Sequence, residues 1–261
     1  MKRTPTKPDL SAIPESFHPL LLQSPVFDSS CSKEARVYYI DQDGGLFLKA
    51  APKGTLQQEA QMDAFFHSKG LGPEVVQYLS EEKDWLLTRR IPGEDCTHPD
   101  YLADPKRLCD TTATLLRQLH ETDVSRCPIT DRNETYLRTA RQGMLAGAYE
   151  EDLFPGHWGF SSPEEAWDTV QRYGTLFRPD VLLHGDYCLP NTLLTNWRFS
   201  GFIDLGNGGV GDRHIDIFWG AWTLFFNLKT EAYCGRFLDA YGRDRIQPEL
   251  LRTVAAMEVF R

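Results

Sequence analysis

The 261-residue sequence lacks long hydrophobic runs and paired cysteines. No stretch of about 18 apolar residues occurs, so we expect no membrane-spanning helix. The polar segment from Met1 to Pro8 lacks the apolar run of a signal peptide, and the expected location is the cytoplasm. The six cysteines form no C-x-x-C pair, which excludes the usual zinc spacing and favours reduced thiols.

Basic residues are also in the minority: 28 Lys and Arg stand against 37 Asp and Glu, a net charge of −9. Because binding to nucleic-acid phosphates needs clustered Lys and Arg, nucleic acid is not an expected partner. A cationic small molecule is compatible with this balance. The hydrophobic fraction of 41% is ordinary for a globular protein, and the length fits one large domain or two small lobes.

The first third of the chain is predicted to be rich in strands. Residues 1–24 are proline-rich, show little periodicity and are expected to form an irregular arm. The strands that follow are predicted at residues 36–40, 45–49, 75–79 and 85–88. A hairpin turn is predicted at residues 41–44, and a helix at residues 56–69.

The pattern changes after residue 93, and the apolar spacing then predicts mainly helices. The helices begin at residue 104 and continue at 133–149, 163–177, 215–228, 231–241 and 248–260. This segregation predicts an α+β fold. We predict an N-terminal lobe over residues 1–88, a hinge over 89–93 and a helical C-terminal lobe over 94–261.

Two loops that follow apolar strands carry the most unusual polar residues. The sequence H-G-D-Y-C-L-P-N contains Asp186 and Asn191, and F-I-D-L-G contains Asp204. Phosphoryl transfer needs one carboxylate to orient or deprotonate a hydroxyl, and hard oxygen ligands to hold Mg²⁺ against the phosphates. An isolated D-x-x-x-x-N would more simply be a turn, but the flanking H-G-D and I-D-x-G favour this chemistry.

A cation for the phosphates is also present. Lys49 closes a predicted strand and Glu59 lies on the next predicted helix, an order typical of phosphate-positioning ion pairs. The common phosphate-binding motif G-x-x-x-x-G-K-[ST] is absent. A serine-rich segment that includes Ser32 stands where a phosphate-covering loop is expected. A plain surface loop is an equally good interpretation of that segment.

The motifs around Asp186 and Asp204, with G-V-G-D-R-H-I-D-I at residues 209–217, resemble the signature of bacterial aminoglycoside 3′-phosphotransferases. The resemblance covers most of the chain after about residue 25. It implies a protein-kinase-like two-lobe fold. The small N-terminal lobe would hold an antiparallel sheet plus a helix, and the larger C-terminal lobe would be mainly helical. The activity implied is transfer of the γ-phosphate of ATP or GTP to a hydroxyl, the 3′ one, of an aminoglycoside such as kanamycin.

The resemblance also implies residue roles. Asp186 would be catalytic, Asn191 and Asp204 would hold Mg²⁺, and Lys49 with Glu59 would bind the nucleotide phosphates. The remaining nucleotide contacts would come from Ser32 and the backbones of Arg89 and Ile91. His184, Asp212 and Asp216 are predicted to support the catalytic loop structurally.

Recognition of the acceptor is predicted from acidic residues near two helical segments. The expected contacts are Glu150, Glu151, Asp152, Glu258 and Phe260. A solvated acidic face is an equal alternative for residues 150–152. Asn207, Trp222 and Met257 depart from the family pattern on the acceptor side, which keeps open a kinase of another small alcohol or amino sugar. A non-catalytic binding protein is a further alternative, and a monomer or weak dimer is expected.

Overall fold

The computed structural model describes residues 3–31, 35–148 and 159–261. The chain divides into two compact units, Met1–Asp95 with Thr192–Gly206, and Cys96–Asn191 with Asn207–Arg261. The first unit thereby includes Thr192–Gly206, a segment that lies inside the range predicted for the C-terminal lobe. The lobe limits near residues 88 and 94 stay a prediction. None of the helices in the described ranges is long and apolar enough to cross a membrane.

The first unit is built on an antiparallel sheet of six strands in the order β1-β2-β3-β4-β6-β5. The strands are β1 (Thr4–Pro5), β2 (Val26–Asp28), β3 (Arg36–Ile40), β4 (Leu46–Pro52), β5 (Val75–Ser80) and β6 (Lys83–Arg89). Ile40 pairs with Leu46 across the β3–β4 hairpin, whose turn has positive φ at Asp43 and Gly44. The hairpin predicted at residues 41–44 is present.

A second, smaller sheet of the first unit has the order β10-β9-β7. Its strands are β7 (Glu94–Asp95), β9 (Thr192–Thr195) and β10 (Arg198–Phe202). Thr195 pairs with Arg198, so β9 and β10 form a tight hairpin. Asp204 lies two residues after the end of β10.

The main sheet buries one of its faces. Leu46, Leu48 and Ala50 alternate along β4 and are all buried, as the period of two in a strand predicts. The helix of this unit is α2 (Gln57–Ser68). The buried carboxylate of Asp84 accepts a hydrogen bond from the Leu56 backbone N–H at 2.9 Å, which satisfies a donor at the start of that helix.

The irregular arm expected over residues 1–24 differs from the structure. Besides β1, it contains a short helix, α1 (His18–Gln23), preceded by two 3₁₀ turns. Phe17 and Leu21 are buried in one cluster with Trp85 of β6, and the Phe17 and Trp85 rings lie 6.1 Å apart. These apolar residues are too few to give a periodic signal, and contact with the sheet determines their conformation.

The second unit is mainly helical. Its helices are α3 (Pro99–Leu102), α4 (Pro105–His120), α5 (Arg132–Ala146), α6 (Pro163–Tyr173), α7 (His214–Leu228), α8 (Cys234–Tyr241) and α9 (Pro248–Glu258). It also has two short antiparallel strands, β8 (Val181–Leu183) and β11 (Gly209–Gly211). Side chains from α5, α6 and α9 surround β8 in one apolar core. The predicted segregation of strands and helices is therefore observed.

Local signals set several helix ends. The Ser162 hydroxyl accepts a hydrogen bond from the Glu165 N–H at 3.2 Å, and Pro163 occupies the first turn of α6. Helix α5 ends at Gly147, which has a φ of 64°. The helix predicted over 163–177 stops at Tyr173, where a 3₁₀ turn replaces it.

Two helical glycines of the second unit provide a matched test of packing. A Cβ at Gly220 of α7 would lie 2.4 Å from the Phe237 ring of α8, whereas a Cβ at Gly235 would have its nearest neighbour at 3.9 Å. We expect Gly220→Ala to lower the free energy of unfolding by about 1–3 kcal/mol through overpacking. Gly235→Ala should raise it by up to about 1 kcal/mol, because alanine favours helix. Urea unfolding of both variants measures this, and equal effects would contradict the packing.

Candidate active site

A three-way ion cluster lies in the first unit. Lys49 of β4 donates to both carboxylate oxygens of Glu59, at 2.8 Å each, and to Asp204 Oδ1 at 2.9 Å. Glu59 lies in the first turn of α2. The contact between Lys49 and Glu59 is the one that the sequence predicted. The contact with Asp204, which is 155 residues away in the chain, is an addition.

The electrostatics of this cluster favour the charged form of the lysine. Burial alone would lower the pKa of Lys49, but Glu59 and Asp204 outweigh it and raise the pKa above the ordinary lysine value. Burial raises the pKa of Glu59, and the Lys49 ammonium opposes that rise. Gln58 also donates to the Gly206 carbonyl at 2.7 Å, which ties α2 to the loop that carries Asp204.

A second carboxylate, Asp63, is buried one helical turn after Glu59. Its Oδ1 atom has no hydrogen-bond partner among the described residues. Burial raises the pKa of Asp63 well above the ordinary value, and the nearby Glu59 carboxylate adds to the rise. Burial at this position therefore disfavours the charged form of Asp63. Sequence analysis did not single it out, although its spacing of four from Glu59 places both on one helix face.

The predicted catalytic carboxylate lies in the second unit, just after the buried strand β8. Asp186 is half-buried, and its Oδ2 accepts a hydrogen bond from Asn191 Nδ2 at 2.9 Å. The same amide nitrogen donates to the Asp186 backbone carbonyl at 3.0 Å. The Cys188 thiol donates to Asp186 Oδ1 at 3.2 Å. Both oxygens of Asp186 are thus held by neighbours in the loop, and the spacing D-x-x-x-x-N brings its two ends together.

The backbone before Asp186 is held by a buried carboxylate. Asp216 accepts hydrogen bonds from the N–H groups of His184 at 2.7 Å and Gly185 at 2.8 Å. Asp216 also contacts His120 at 3.4 Å, and His120 is bonded to the Tyr241 hydroxyl at 2.8 Å. This geometry is what the predicted supporting role of Asp216 requires. Tyr241 lies in no local motif that could have revealed it.

Asp212 has different partners. It accepts from the Arg178 N–H at 2.8 Å, and from both the backbone and the Nδ1 of His214, at 2.9 and 2.6 Å. Burial alone would raise its pKa, but these donors together lower the pKa of Asp212 below its ordinary value. Asp212 therefore holds the start of α7, and Asp216 holds the backbone that leads to Asp186.

The oxygen atoms of the predicted metal ligands suit a hard cation such as Mg²⁺. Asn191 uses its amide nitrogen toward Asp186, so its carbonyl oxygen is directed elsewhere. Asp204 is exposed and uses Oδ1 toward Lys49, which leaves Oδ2 as a second ligand atom. Among the described residues, no three His, Cys, Asp or Glu side chains form a metal-binding group. Mg²⁺ normally keeps several waters and is bound through one or two protein oxygens together with phosphate oxygens, so each of these residues has a suitable ligand atom.

The predicted hinge contacts are only in part available for hydrogen bonding. The Arg89 N–H donates to the Glu74 carbonyl at 2.9 Å. The Arg89 backbone can therefore contact a purine only through its carbonyl oxygen. The side chain of Ile91 packs against Gly201, where an added Cβ would lie 2.6 Å from it. The other predicted contacts, Ser32, Glu150, Glu151 and Asp152, lie outside the described residues.

The sequence profile of the phosphotransferase enzyme family matches residues 32–253. This chain is a member of that family. A probable aminoglycoside 3′-phosphotransferase of Lactococcus lactis is 47% identical over 253 residues, which cover 97% of this chain and 96% of that protein. An aminoglycoside 3′-phosphotransferase of Niallia circulans is 29% identical, over 86% of this chain and 87% of that protein. The resemblance found in the sequence is confirmed.

Solved structures of the phosphotransferase family confirm the protein-kinase-like α+β fold class. The crystal structure of aminoglycoside-3′-phosphotransferase of type VIII gives a TM-score of 0.69 at 28% identity, over 86% of this chain and 88% of that one. An aminoglycoside phosphotransferase from Streptomyces rimosus in complex with ADP and streptomycin gives 0.68 at 22% identity, over 86% and 90%. At that identity the likeness concerns the fold alone.

The predicted acceptor residue Glu258 of this phosphotransferase is buried and paired inside the second unit. The Tyr136 hydroxyl donates a hydrogen bond to Glu258 Oε1, and Arg261 donates to the same oxygen at 2.9 Å. The Arg261 guanidinium also lies over the Tyr136 ring, 4.4 Å from its centroid. Phe260 is buried against Trp167, with ring centroids 5.7 Å apart. Neither residue is an exposed contact in this structure, and their role toward an acceptor stays a prediction.

Glu258 makes the stability of the phosphotransferase depend on pH. Burial raises the pKa of Glu258 from 4.5 to about 7, although Arg261 opposes the rise. Between these two values the folded protein holds a proton that the unfolded chain releases, so stability falls as pH increases. The full effect is about 3 kcal/mol. Urea unfolding at pH 5 and pH 8 should show this loss for the unmodified protein and a smaller one for Glu258→Gln.

Glu249→Gln is the matched control for this measurement, because Glu249 is an exposed residue of the same helix. It should leave the pH dependence of unfolding as it is in the unmodified protein. If Glu258→Gln behaves like this control, the Glu258 carboxyl does not retain its proton in the folded state.

Proposed function

We propose that this phosphotransferase transfers the γ-phosphate of ATP or GTP to a hydroxyl of an aminoglycoside, the 3′ hydroxyl of a kanamycin-like acceptor. The observation that carries the acceptor class is the 47% identity to the Lactococcus lactis protein over 97% of the chain. The Niallia circulans relative, an aminoglycoside 3′-phosphotransferase that is 29% identical over 86% of this chain, supports the same acceptor class.

Asp186 is the residue that we propose to act on the acceptor hydroxyl. Its carboxylate is half-buried and is held at one oxygen by Asn191 and at the other by Cys188. Each carboxylate oxygen has two lone-pair positions, so the carboxylate can accept a further hydrogen bond from a hydroxyl. A fixed acceptor of this kind can orient the hydroxyl and receive its proton as the new P–O bond forms.

Lys49 is the proposed ligand of the nucleotide phosphates. Its charge is maintained by Glu59 and Asp204, and these contacts hold the ammonium at the end of a long, flexible side chain. Because the transition state of phosphoryl transfer is loose, positioning and neutralisation of the phosphate charge supply most of the catalysis. The carbonyl of Arg89 and the backbone of Ile91 are proposed to contact the purine.

Mg²⁺ is the metal that we propose, with ligand atoms from Asn191 and Asp204. The oxygen atoms described above and the family resemblance support this assignment. When bound, the metal would neutralise phosphate charge. Asn191 would then have two tasks, since its amide nitrogen also orients Asp186.

A second acceptor class is supported by one observation. Glu258, a predicted contact for a cationic acceptor, is already paired with Arg261. A small alcohol or amino sugar with fewer positive charges would not need that carboxylate. Membership of the phosphotransferase family and the retained Lys49, Asp186, Asn191 and Asp204 argue against a non-catalytic binding protein.

A panel of aminoglycosides and other small alcohols, each with ATP and with GTP, tests the proposed activity. We expect nucleotide consumption with 3′-hydroxyl aminoglycosides, and ³¹P NMR of the product should place the phosphate on the 3′ oxygen. Chelation of divalent metal with EDTA should stop the reaction, and added Mg²⁺ should restore it. Turnover with another alcohol alone would favour the second acceptor class.

Asp186→Asn tests the role of the catalytic carboxylate. It should lower kcat by about 10³-fold, because the amide keeps the size of the side chain but cannot take a proton. Nucleotide affinity, measured by calorimetry, should stay within about twofold, since Asp186 is not proposed to bind the nucleotide. A variant that keeps more than a tenth of the turnover would contradict the role. Asp180→Asn, an exposed carboxylate before β8, is the control and should keep full activity.

A further inference from the structure

The Cys188 thiol is a group of the catalytic loop that the proposed function does not use. Its sulfur lies 3.2 Å from Asp186 Oδ1 and donates to that oxygen. The Cys188 N–H donates to the Asp186 carbonyl at 2.8 Å, and the Asn191 N–H donates to the Cys188 carbonyl at 3.0 Å. The backbone of this turn therefore fixes the position of the Cys188 Cβ, from which the sulfur reaches Asp186 Oδ1. A free, mobile thiol would not be directed at one oxygen in this way.

We propose that Cys188 is a positioning residue for phosphoryl transfer: its thiol holds Asp186 Oδ1 while Asn191 holds Oδ2. The proposal rests on the proposed function, because it assigns a task to a neighbour of the proposed catalytic carboxylate. The two donors act on different oxygens, so together they fix the rotation of the carboxylate plane, which one donor alone would leave free. The orientation of the lone pair that meets the acceptor hydroxyl depends on that plane.

A thiol is suited to this task because it is a weak donor. A strong, charged donor such as lysine would draw negative charge away from the carboxylate and make it a poorer proton acceptor. The thiol restrains the oxygen and leaves most of its basicity in place. The Thr223 side chain also contacts the Cys188 thiol. Its hydroxyl accepts from the Leu189 N–H at 3.0 Å and from Asn227 at 3.1 Å, so this boundary of the thiol is itself fixed.

Kinetics of two substitutions test the role. Cys188→Ala removes the donor and should lower kcat by about tenfold, because a misplaced catalytic group loses rate steeply. The KM for the nucleotide should stay within about twofold, since the phosphate-binding cluster is untouched. Cys188→Ser restores a donor of similar size and should recover most of the lost kcat. Equal losses in both variants would overturn the proposal.

The matched control is Cys127→Ala, which removes a buried thiol that donates to the Ile129 carbonyl at 3.3 Å. It should lower thermal stability as much as Cys188→Ala does and leave kcat unchanged. A loss of kcat in this control equal to that in Cys188→Ala would show that the effect comes from stability, and the proposal would fail.

A readout that is independent of turnover separates this proposal from the proposed function. The S–H stretching band of Cys188 can be isolated as the infrared difference between the unmodified protein and Cys188→Ser. We expect it at lower frequency than the band of the exposed Cys31, and Asp186→Asn should move it to higher frequency, because an amide oxygen is a weaker acceptor. A band that does not respond to Asp186→Asn overturns the contact. If the band responds but Asp186→Asn remains active, the proposed catalytic role fails and the contact stands.

Discussion

A lysine ammonium held between two carboxylates is the interaction on which the first unit's site depends. Removing a charged group from water costs several kcal/mol, and only well-placed opposite charges offset this. Glu59 contributes both oxygens and Asp204 one, so Lys49 joins β4, α2 and the loop after β10. Loss of either carboxylate would leave a cation with less compensation. The cluster therefore fixes three segments of the chain as well as a charge.

In the second unit, the loop that contains Asp186 is held by hydrogen bonds from backbone donors instead. Asp216 is completely buried, and two of the hydrogen bonds that satisfy it come from the N–H groups of His184 and Gly185. Backbone donors do not titrate or change rotamer, so the chain leading to Asp186 has a fixed path. Gly185 has a φ of 82°, and a Cβ there would lie 1.9 Å from the Asn207 carbonyl oxygen. Glycine at this position is required by both the backbone conformation and the space.

The local strands and helices could be predicted from the sequence. The contacts between residues far apart in the chain could be predicted only in part. The observed limits of β3 are the predicted ones, and the observed limits of α2 lie within one residue of the predicted ones. Local alternation and periodicity of apolar residues decide these limits. The Lys49–Glu59 pair was predictable from a strand followed by a helix. The contact from Lys49 to Asp204 was not, since it spans 155 residues. The Cys188 contact spans two residues, but it depends on turn dihedral angles that spacing does not encode.

The formal net charge of the chain counts every carboxyl group as ionised, but burial favours the protonated form of some of them. Composition is therefore a poor guide to whether the acceptor is cationic. Burial and the neighbouring Glu59 carboxylate raise the pKa of Asp63 well above the ordinary value, although the Lys49 ammonium opposes the rise. Burial likewise raises the pKa of Glu258 to about 7. The formal charge of −9 counts both carboxyls as ionised. Attraction of a cationic acceptor therefore depends on carboxylates that are both exposed and ionised, and an acidic composition alone is not evidence for it.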